Sequence, residues 1–222
     1  MAKTLIFDFD GVLIDSKNMY VELIHRAFSD VNIDISSERI AQHLIPSIKG
    51  TIDNVCPLDI PNRQSIIKSI ELKAIELTST IGLDYISLNE NSKSVLAEFK
   101  ARGFSIYLLT NSHSAFINKV LALYSLEPFF KAVLTLDSGY GSKFEALKHI
   151  ASQEAIDYSE LIYIGDTRKD VELAQEVGCK IIIIFDKYSW DFPNEQEIQD
   201  LEPDFMIDSL ADLVSLLVQD KD

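Results

Sequence analysis

The sequence of 222 residues contains only two cysteines and no long apolar stretch. Cys56 and Cys179 are far apart, which argues against a disulfide framework and against a zinc site, and fits a reducing compartment. The longest purely apolar run, 181–185, is far too short to cross a bilayer. The first ten residues also lack the apolar region of a signal peptide. These absences predict a cytoplasmic protein that does not span a membrane.

Basic residues are scarce too, with 20 lysines and arginines against 35 aspartates and glutamates and a formal net charge of -15. This charge argues against nucleic acids and anionic membrane surfaces as main partners. A content of 47% hydrophobic and 25% charged residues is typical of a soluble globular protein with a substantial core. The length allows one large domain or a domain with a sizeable insert, and we expect a monomer or a homodimer.

Short apolar runs that lack the alternation of half-exposed strands are the main structural signal in the sequence. Continuous apolarity is typical of strands in a parallel sheet that helices cover on both faces. Amphipathic helical patterns separate most of the runs, so strand and helix alternate. We therefore predict an α/β fold with a Rossmann-like parallel sheet. The predicted strands are 5–7, 105–109, 132–136, 161–164 and 180–185.

Roughly 90 residues between the first and second predicted strands contain no convincing strand. Apolar residues with helical spacing run from Tyr20 to Val31 and from Ile66 to Leu77, and Gly82 is a plausible stop. A serine at 36 or 37 could cap a shorter helix. We predict a helical cap domain at 17–86, inserted into a core formed by 1–16 and 87–222. Ordinary crossover helices are the alternative, but such connections are usually short. The segment 209–222 is expected to form a closing helix.

Polar side chains follow four of the predicted strands, and ligands of an open parallel sheet bind at the carboxyl ends of its strands. Each side chain alone has an ordinary explanation as a turn, a helix cap or a surface charge. Their order and position together predict one site. The residues at these ends are Asp8 and Asp10, then Thr110, Asn111 and Ser112, then Lys143, and finally Asp166 and Asp170.

Phosphoryl transfer is the chemistry that this set of side chains suits. Ligands that are all oxygens favour a hard cation, and Mg²⁺ typically takes one or two carboxylates plus phosphate oxygens. A cation would offset the repulsion between Asp8 and Asp10. One carboxylate can attack phosphorus and form an aspartyl-phosphate, while a second protonates the leaving oxygen and later activates water. Thr110, the Asn111 amide and Lys143 would hold the other phosphoryl oxygens.

The segments DFDGVLIDS, LLTNS and GDTRKD, together with Lys143, resemble the four motifs of the haloacid dehalogenase (HAD) superfamily. The resemblance covers nearly the whole chain, and the helical insert is similar to the cap of the phosphoglycolate-phosphatase-like branch. It implies that Asp8 is the nucleophile and a metal ligand. It implies that Asp10 is the general acid/base, with its backbone carbonyl as another ligand.

The same resemblance assigns the remaining polar residues. Thr110 and Asn111 are implied to bind the phosphoryl group, and Lys143 to bridge phosphate and nucleophile. Asp166 is implied to ligate Mg²⁺, and Asp170 to support the metal. The expected function is a Mg²⁺-dependent phosphatase that hydrolyses a small phosphorylated metabolite.

Other functions remain open at this point. Beta-phosphoglucomutases of the same superfamily usually show Ala-Ser where this chain has Thr110 and Asn111. They typically carry histidine where Tyr20 stands, and they lack an aspartate matching Asp170. These departures favour hydrolysis over a mutase or another phosphotransferase. A non-catalytic phosphate-binding protein and a receiver-like signalling module, with Asp137 as its acceptor candidate, are further alternatives. In the insert, Lys49 in the expected loop 44–54 could meet a second anionic group of the substrate.

Overall fold

The computed structural model describes residues 4–192 and 194–218. Its strands are short, and six of them form one sheet while two form a separate pair. The strands are β1 (Thr4–Phe7), β2 (Ile14–Asp15), β3 (Ser87–Leu88), β4 (Ser105–Leu109), β5 (Ala132–Leu134), β6 (Leu161–Gly165), β7 (Lys180–Ile184) and β8 (Phe205–Ile207). The helices are α1 (Lys17–Asp30), α2 (Ser37–Gln42), α3 (Ile48–Val55), α4 (Arg63–Ile81), α5 (Ser92–Ala101), α6 (Ser114–Tyr124), α7 (Lys143–Glu154), α8 (Arg168–Val177), α9 (Glu195–Gln199) and α10 (Asp212–Leu217).

The six-stranded sheet has the order β5-β4-β1-β6-β7-β8, and all its pairings are parallel. The chain builds one half from β1 through β4 to β5, then returns to the other side of β1 for β6, β7 and β8. This reversal places the switch point of the sheet at β1, where α/β proteins bind their ligands. Phe7 pairs with Leu108 and with Ile164, so the carboxyl ends of the three central strands lie side by side. The predicted parallel α/β fold is confirmed.

Helices cover the sheet because its central strands are largely apolar. The side chains of β1 and β6 are all buried, including Tyr163, whose phenol lies in the core beside apolar residues of α7 and α8. Burial of this much apolar surface is the main stabilising contribution to such a sheet. Among the described residues, no helix combines the length and apolarity that spanning a membrane requires.

Several sequence-based boundaries were wrong at strand ends. The third predicted strand, 132–136, stops at Leu134 because the Thr135 amide donates to the Ser138 hydroxyl and turns the chain. The fifth, 180–185, ends one residue early. The strands β2, β3 and β8 were not predicted, and each has only two or three residues. The closing helix expected at 209–222 corresponds to the shorter α10. Residues 219–222 of that prediction lie outside the described part of the chain.

The chain divides into two compact units, one made of Met1–Asp15 with Leu88–Asp222 and the other of Ser16–Ser87. Among the described residues, the helices of the second unit are α1 to α4 and one 3-10 turn. Apolar stripes on α1 and α4 supply its core, with Leu23, Phe28 and Ile70 fully buried. The predicted boundaries, 17–86, lie one residue inside those of this unit.

Local capping explains where the helices of the inserted unit begin. The Ser36 hydroxyl accepts a hydrogen bond from the Arg39 amide at the start of α2, as one of the two predicted caps requires. The expected loop 44–54 was wrong, because Ser47 caps α3 in the same way and the segment is helical from Ile48. The predicted stop at Gly82 is confirmed, because α4 ends at Ile81 with Gly82 as its C-cap, and a 3-10 turn then runs from Gly82 to Tyr85.

Candidate active site

Asp8 and Lys143 form an ion pair at the carboxyl edge of the sheet. Asp8 is the first residue after β1, and Lys143 is the first residue of α7, where the Ser142 side chain caps the helix. The Lys143 Nζ lies 2.8 Å from Asp8 Oδ2, and only 12% of the lysine side chain is exposed. The other oxygen, Asp8 Oδ1, accepts a hydrogen bond from the Phe9 amide at 2.8 Å. These contacts fix the orientation of the carboxylate.

A buried tyrosine joins this ion pair to Asp170. The Lys143 Nζ donates to Tyr163 Oη at 2.8 Å, and the phenol donates to Asp170 Oδ1 at 3.1 Å. The direct distance from Lys143 Nζ to Asp170 Oδ1 is longer, 3.5 Å. Tyr163 therefore holds the lysine between two carboxylates without adding a charge of its own.

Asp170 also caps the helix to which it belongs. It is the third residue of α8, and its Oδ2 accepts from the amide and the hydroxyl of Thr167 and from the Asp166 amide. Asp166 precedes α8, which begins at Arg168, so the two acids meet because the turn at Thr167 folds back on Asp170. Gly165 permits this close return of the chain, since a Cβ there would lie 2.5 Å from that of Asp170.

Asp166 presents one oxygen that the protein leaves unsatisfied. Its Oδ2 accepts from the Trp190 amide at 2.6 Å, whereas its Oδ1 is buried with no hydrogen-bond partner among the described residues. Leaving a buried carboxylate oxygen without a partner is costly. Gly11, whose φ is +82°, brings the turn after β1 against this carboxylate, because a side chain there would overlap Asp166. The turn and the aspartate are thus held together.

The acidic side chains at this edge fit a hard cation. Asp8, Asp166 and Asp170 each offer a carboxylate oxygen, and the three oxygens lie within 4.8 Å of one another. All donors are oxygens, as Mg²⁺ prefers, and Asp166 Oδ1, which has no hydrogen-bond partner among the described residues, can serve as a ligand. Both oxygens of Asp170 already accept hydrogen bonds, and both oxygens of Asp8 also have partners in Lys143 and the Phe9 amide, so Asp166 is the best placed of the three as a direct ligand. Asp10 is not part of this cluster of side-chain oxygens.

Burial and crowding make these acids hard to ionise without a cation. Burial raises the pKa of Asp8 to about 7, against the opposing effect of Lys143 and with a contribution from Asp170. Burial, Asp170 and Asp8 raise the pKa of Asp166 well above its ordinary value. For Lys143, burial lowers the pKa, but Asp8 and Asp170 raise it more strongly, so the ammonium stays charged. A bound cation would shift the acids toward their charged forms.

The remaining predicted residues lie at the ends of β1 and β4. Thr110 follows β4 and is buried, and its amide donates to the Leu134 carbonyl oxygen at 3.0 Å. Asn111 is exposed at the beginning of the next loop. Asp10 Oδ2 accepts a hydrogen bond from the Ser112 hydroxyl at 3.0 Å. The structure therefore joins Asp8, Lys143, Asp166 and Asp170 directly, and links Asp10 to the loop after β4.

Sequence reasoning did not assign a role to Tyr163 or to the backbone of Trp190. The available signal for Tyr163 was a single phenol in the otherwise aliphatic strand LIYIG, three residues before Asp166. The contact of the Trp190 amide with Asp166 had no signal, because a backbone donor can belong to any residue. The sequence places Ser112 at the predicted site but gives it no role of its own.

Comparisons with known proteins identify a family. The family model described as haloacid dehalogenase-like hydrolase matches residues 5–184. The phosphoglycolate phosphatase of Synechococcus elongatus is 24% identical, and the match covers 98% of this chain and 98% of that protein. The pyrophosphatase PpaX of Bacillus pumilus is also 24% identical, over 98% of this chain and 97% of the relative.

A solved structure shows the same fold. A haloacid dehalogenase-like family hydrolase from Streptococcus pneumoniae superimposes with a TM-score of 0.79 at 14% identity, covering 97% of this chain and 98% of that one. The expected HAD-like architecture and the expected enzyme class, a phosphatase, are confirmed by these matches. With its family model matched over 180 residues, counted from 5 to 184, the chain belongs to the haloacid dehalogenase-like hydrolases.

Proposed function

We propose that this protein is a Mg²⁺-dependent phosphatase that hydrolyses a small phosphomonoester through an aspartyl-phosphate on Asp8. The observation that carries the proposal is the arrangement around this carboxylate. Lys143 contacts it at 2.8 Å, and oxygens of Asp166 and Asp170 lie within 4.8 Å of one of its oxygens. A nucleophile beside a fixed cation and a cluster of metal-binding oxygens is what attack on a phosphate dianion requires.

In the first step, an Asp8 oxygen bonds to phosphorus while the bond from phosphorus to the leaving oxygen breaks. Asp10 gives its proton to the leaving oxygen, which departs as an alcohol. Lys143 offsets the negative charge of the phosphoryl oxygens, and Thr110 with the Asn111 amide provides hydrogen-bond donors at the neighbouring strand end. The position of Thr110 next to β5 supports this assignment, because its amide is fixed by the Leu134 carbonyl.

In the second step, water attacks the phosphorus of the aspartyl-phosphate, Asp10 takes up a proton from this water, and phosphate leaves as Asp8 is restored. Asp8, Asp166 and the Asp10 carbonyl are the proposed ligands of Mg²⁺. Asp170 orients the turn that carries Asp166, because it accepts hydrogen bonds from the Asp166 and Thr167 amides. When bound, Mg²⁺ supplies positive charge that neutralises the phosphoryl oxygens and the acidic cluster.

The relatives suggest which substrates to test first. One is named for phosphoglycolate and another for pyrophosphate, and both compounds are small and multiply charged. We infer that this chain also takes a small anionic phosphate and that Ser16–Ser87 is its cap domain. A cytoplasmic location is inferred from two free, buried cysteines, Cys56 and Cys179, which are typical of a reducing compartment.

A phosphate-release screen over small phosphomonoesters and pyrophosphate tests the proposal directly. We expect turnover with Mg²⁺, none with EDTA, and recovery when excess Mg²⁺ is added back. Acid quenching during turnover of a labelled phosphomonoester should trap phosphate covalently on the protein. Activity that persists unchanged in EDTA would contradict the metal site, and release without a trapped intermediate would contradict the covalent step.

A further inference from the structure

Ser112 contacts the proposed general acid/base from a distant part of the chain. It lies in the loop between β4 and α6, is half-buried, and donates its hydroxyl proton to Asp10 Oδ2 at 3.0 Å. The two residues are 102 positions apart, so the contact depends on the alignment of β1 with β4.

The loop that carries Ser112 is held in place by its own backbone groups. The Ser112 amide donates to Thr110 Oγ1 at 3.0 Å, and its carbonyl accepts from the Leu136 amide at 3.1 Å. One bond ties the serine to a predicted phosphoryl-binding residue, and the other ties it to the loop after β5. The hydroxyl is therefore presented to Asp10 from a fixed backbone.

Capping of α6 does not require the Ser112 hydroxyl. The N-cap residue is His113, and its side chain makes no capping bond. Instead, Asp137 from the next loop accepts from the Ser114 amide at 2.9 Å and from the Ser114 hydroxyl at 2.6 Å. These bonds hold the pKa of Asp137 well below its usual range. With Asp137 serving the helix, Ser112 is available to Asp10.

We propose that Ser112 is a positioning residue for Asp10, and this inference depends on the proposed function, in which Asp10 protonates the leaving group. In this proposal the Ser112 hydroxyl donates to Oδ2, and the acidic proton of Asp10 is carried by Oδ1. Ser112 therefore fixes both the plane of the carboxyl group and the oxygen that delivers the proton. General acid catalysis loses much of its effect when the donor is poorly aimed.

The dependence on the leaving group distinguishes this role from a structural one. An alkyl leaving oxygen needs its proton in the transition state, whereas p-nitrophenolate departs without one. For Ser112→Ala we expect kcat/KM to fall ~10–100-fold on an alkyl phosphate and by ~3-fold or less on p-nitrophenyl phosphate. The ratio kcat/KM is the appropriate quantity because it includes the steps through departure of the leaving group.

Two further variants complete the experiment. Ser114→Ala removes the neighbouring hydroxyl, which contacts Asp137 and not Asp10, and should affect both substrates equally and weakly. Ser112→Thr keeps a hydroxyl and should restore alkyl phosphate turnover. Retained activity on p-nitrophenyl phosphate shows that Ser112→Ala is folded.

Three results would overturn the inference. If Ser112→Ala lowers kcat/KM equally on both substrates, the serine is a structural or phosphoryl-binding residue. If kcat/KM is unchanged on both, the serine has no role in the reaction. Failure of Ser112→Thr to recover alkyl phosphate turnover would also contradict positioning through the hydroxyl. In each case wild-type turnover leaves the proposed function standing. A wild-type protein inactive on every phosphomonoester would instead overturn the proposed function, and this inference with it.

Discussion

Charged side chains are buried at the carboxyl edge of the core sheet and exposed in the inserted helical unit. At the sheet edge, Asp166 and Asp170 have 0% and 3% of their surface accessible. In the insert, Lys73 reaches Glu76 and Asp30 on the surface, and both acids are more than half exposed. The same residue types thus occupy opposite environments in the two units.

This difference in burial separates the residues expected to carry the chemistry from those that stabilise the fold. Burying several carboxylates together costs free energy that a solvated ion pair does not. The core keeps this costly cluster, while the insert gains its stability from apolar stripes such as that of Ile70. Variants at the sheet edge should therefore change catalysis strongly, and surface variants of the insert should change little.

The largest effect is expected for Asp8→Asn. The amide cannot form an acyl phosphate, so kcat should fall at least ~10⁴-fold with the fold intact. Asp34→Asn makes the same chemical change at an exposed position of the insert and should retain full activity. Steady-state phosphate release measures both. Comparable activity of the two variants would remove Asp8 from the nucleophile role.

Asp166→Asn and Asp170→Asn should separate a metal ligand from its support. Asp166 has an unpartnered oxygen, so its loss should raise the Kd for Mg²⁺ by ~100-fold or more. Asp170 accepts hydrogen bonds from the chain through both oxygens, so Asp170→Asn should raise the Kd for Mg²⁺ by only ~10-fold. It should lower Tm more than Asp166→Asn does, because it removes these hydrogen bonds. Calorimetric titration and thermal unfolding measure these quantities, and equal Mg²⁺ losses would contradict the distinction.

Tyr163→Phe removes the hydroxyl between Lys143 and Asp170. The lysine should lose its fixed position against Asp8, and kcat should fall ~10-fold with a smaller change in KM. The matched control is Tyr107→Phe, which removes another buried phenol whose hydroxyl donates to Glu154 outside the acidic cluster. If both variants lose kcat equally, Tyr163 acts through packing and not through the lysine.

Asp8→Asn should also change how stability depends on pH in EDTA. The pKa of Asp8 in the folded protein is about 7, above its ordinary value near ~4, so the folded state retains a proton that the unfolded state releases. Wild-type stability should therefore fall as pH rises from ~4 to ~7. Asn stays neutral, so the difference in Tm between the variant and the wild type should shift in favour of the variant as the pH rises through this range. A constant difference between pH 5 and pH 8 would argue against a raised pKa.

The smallest effect is expected for Lys73→Ala in the insert. Its two ion pairs are exposed, and such pairs contribute little, so Tm should change by less than ~2 °C. Ile70→Ala, on the same helix but fully buried, should lower Tm by about 5 °C or more because it leaves a cavity. A large effect of Lys73→Ala would break the contrast between the two units.

Much of the site could be predicted because its residues follow strands in a fixed order. The apolar runs that end at Asp8 and Asp166 mark strand ends from the sequence alone, and parallel pairing brings strand ends together. Boundaries were less predictable where single side chains decide them. The turn at Thr135 depends on Ser138, and α3 depends on a cap at Ser47 that resembled part of a loop.

The contacts that refine the site could not be predicted, because they join distant positions through common groups. Ser112 meets Asp10 across 102 residues, and the Trp190 amide meets Asp166 across 24. A serine after a strand and a backbone amide are both too common to indicate a specific contact in a sequence. Only the register of the strands and the path of the loops determine which acid each donor reaches.

Trp190 is the only tryptophan of the chain, and its position beside the acidic cluster makes it a natural optical reporter. Its amide binds Asp166, and its indole ring lies against Gly11 in the turn that follows Asp8 and Asp10. All indole emission of the protein therefore comes from one buried ring next to the atoms that would change on ligation. Occupancy of this edge could be followed by intrinsic fluorescence in real time, without a label and on the unmodified protein.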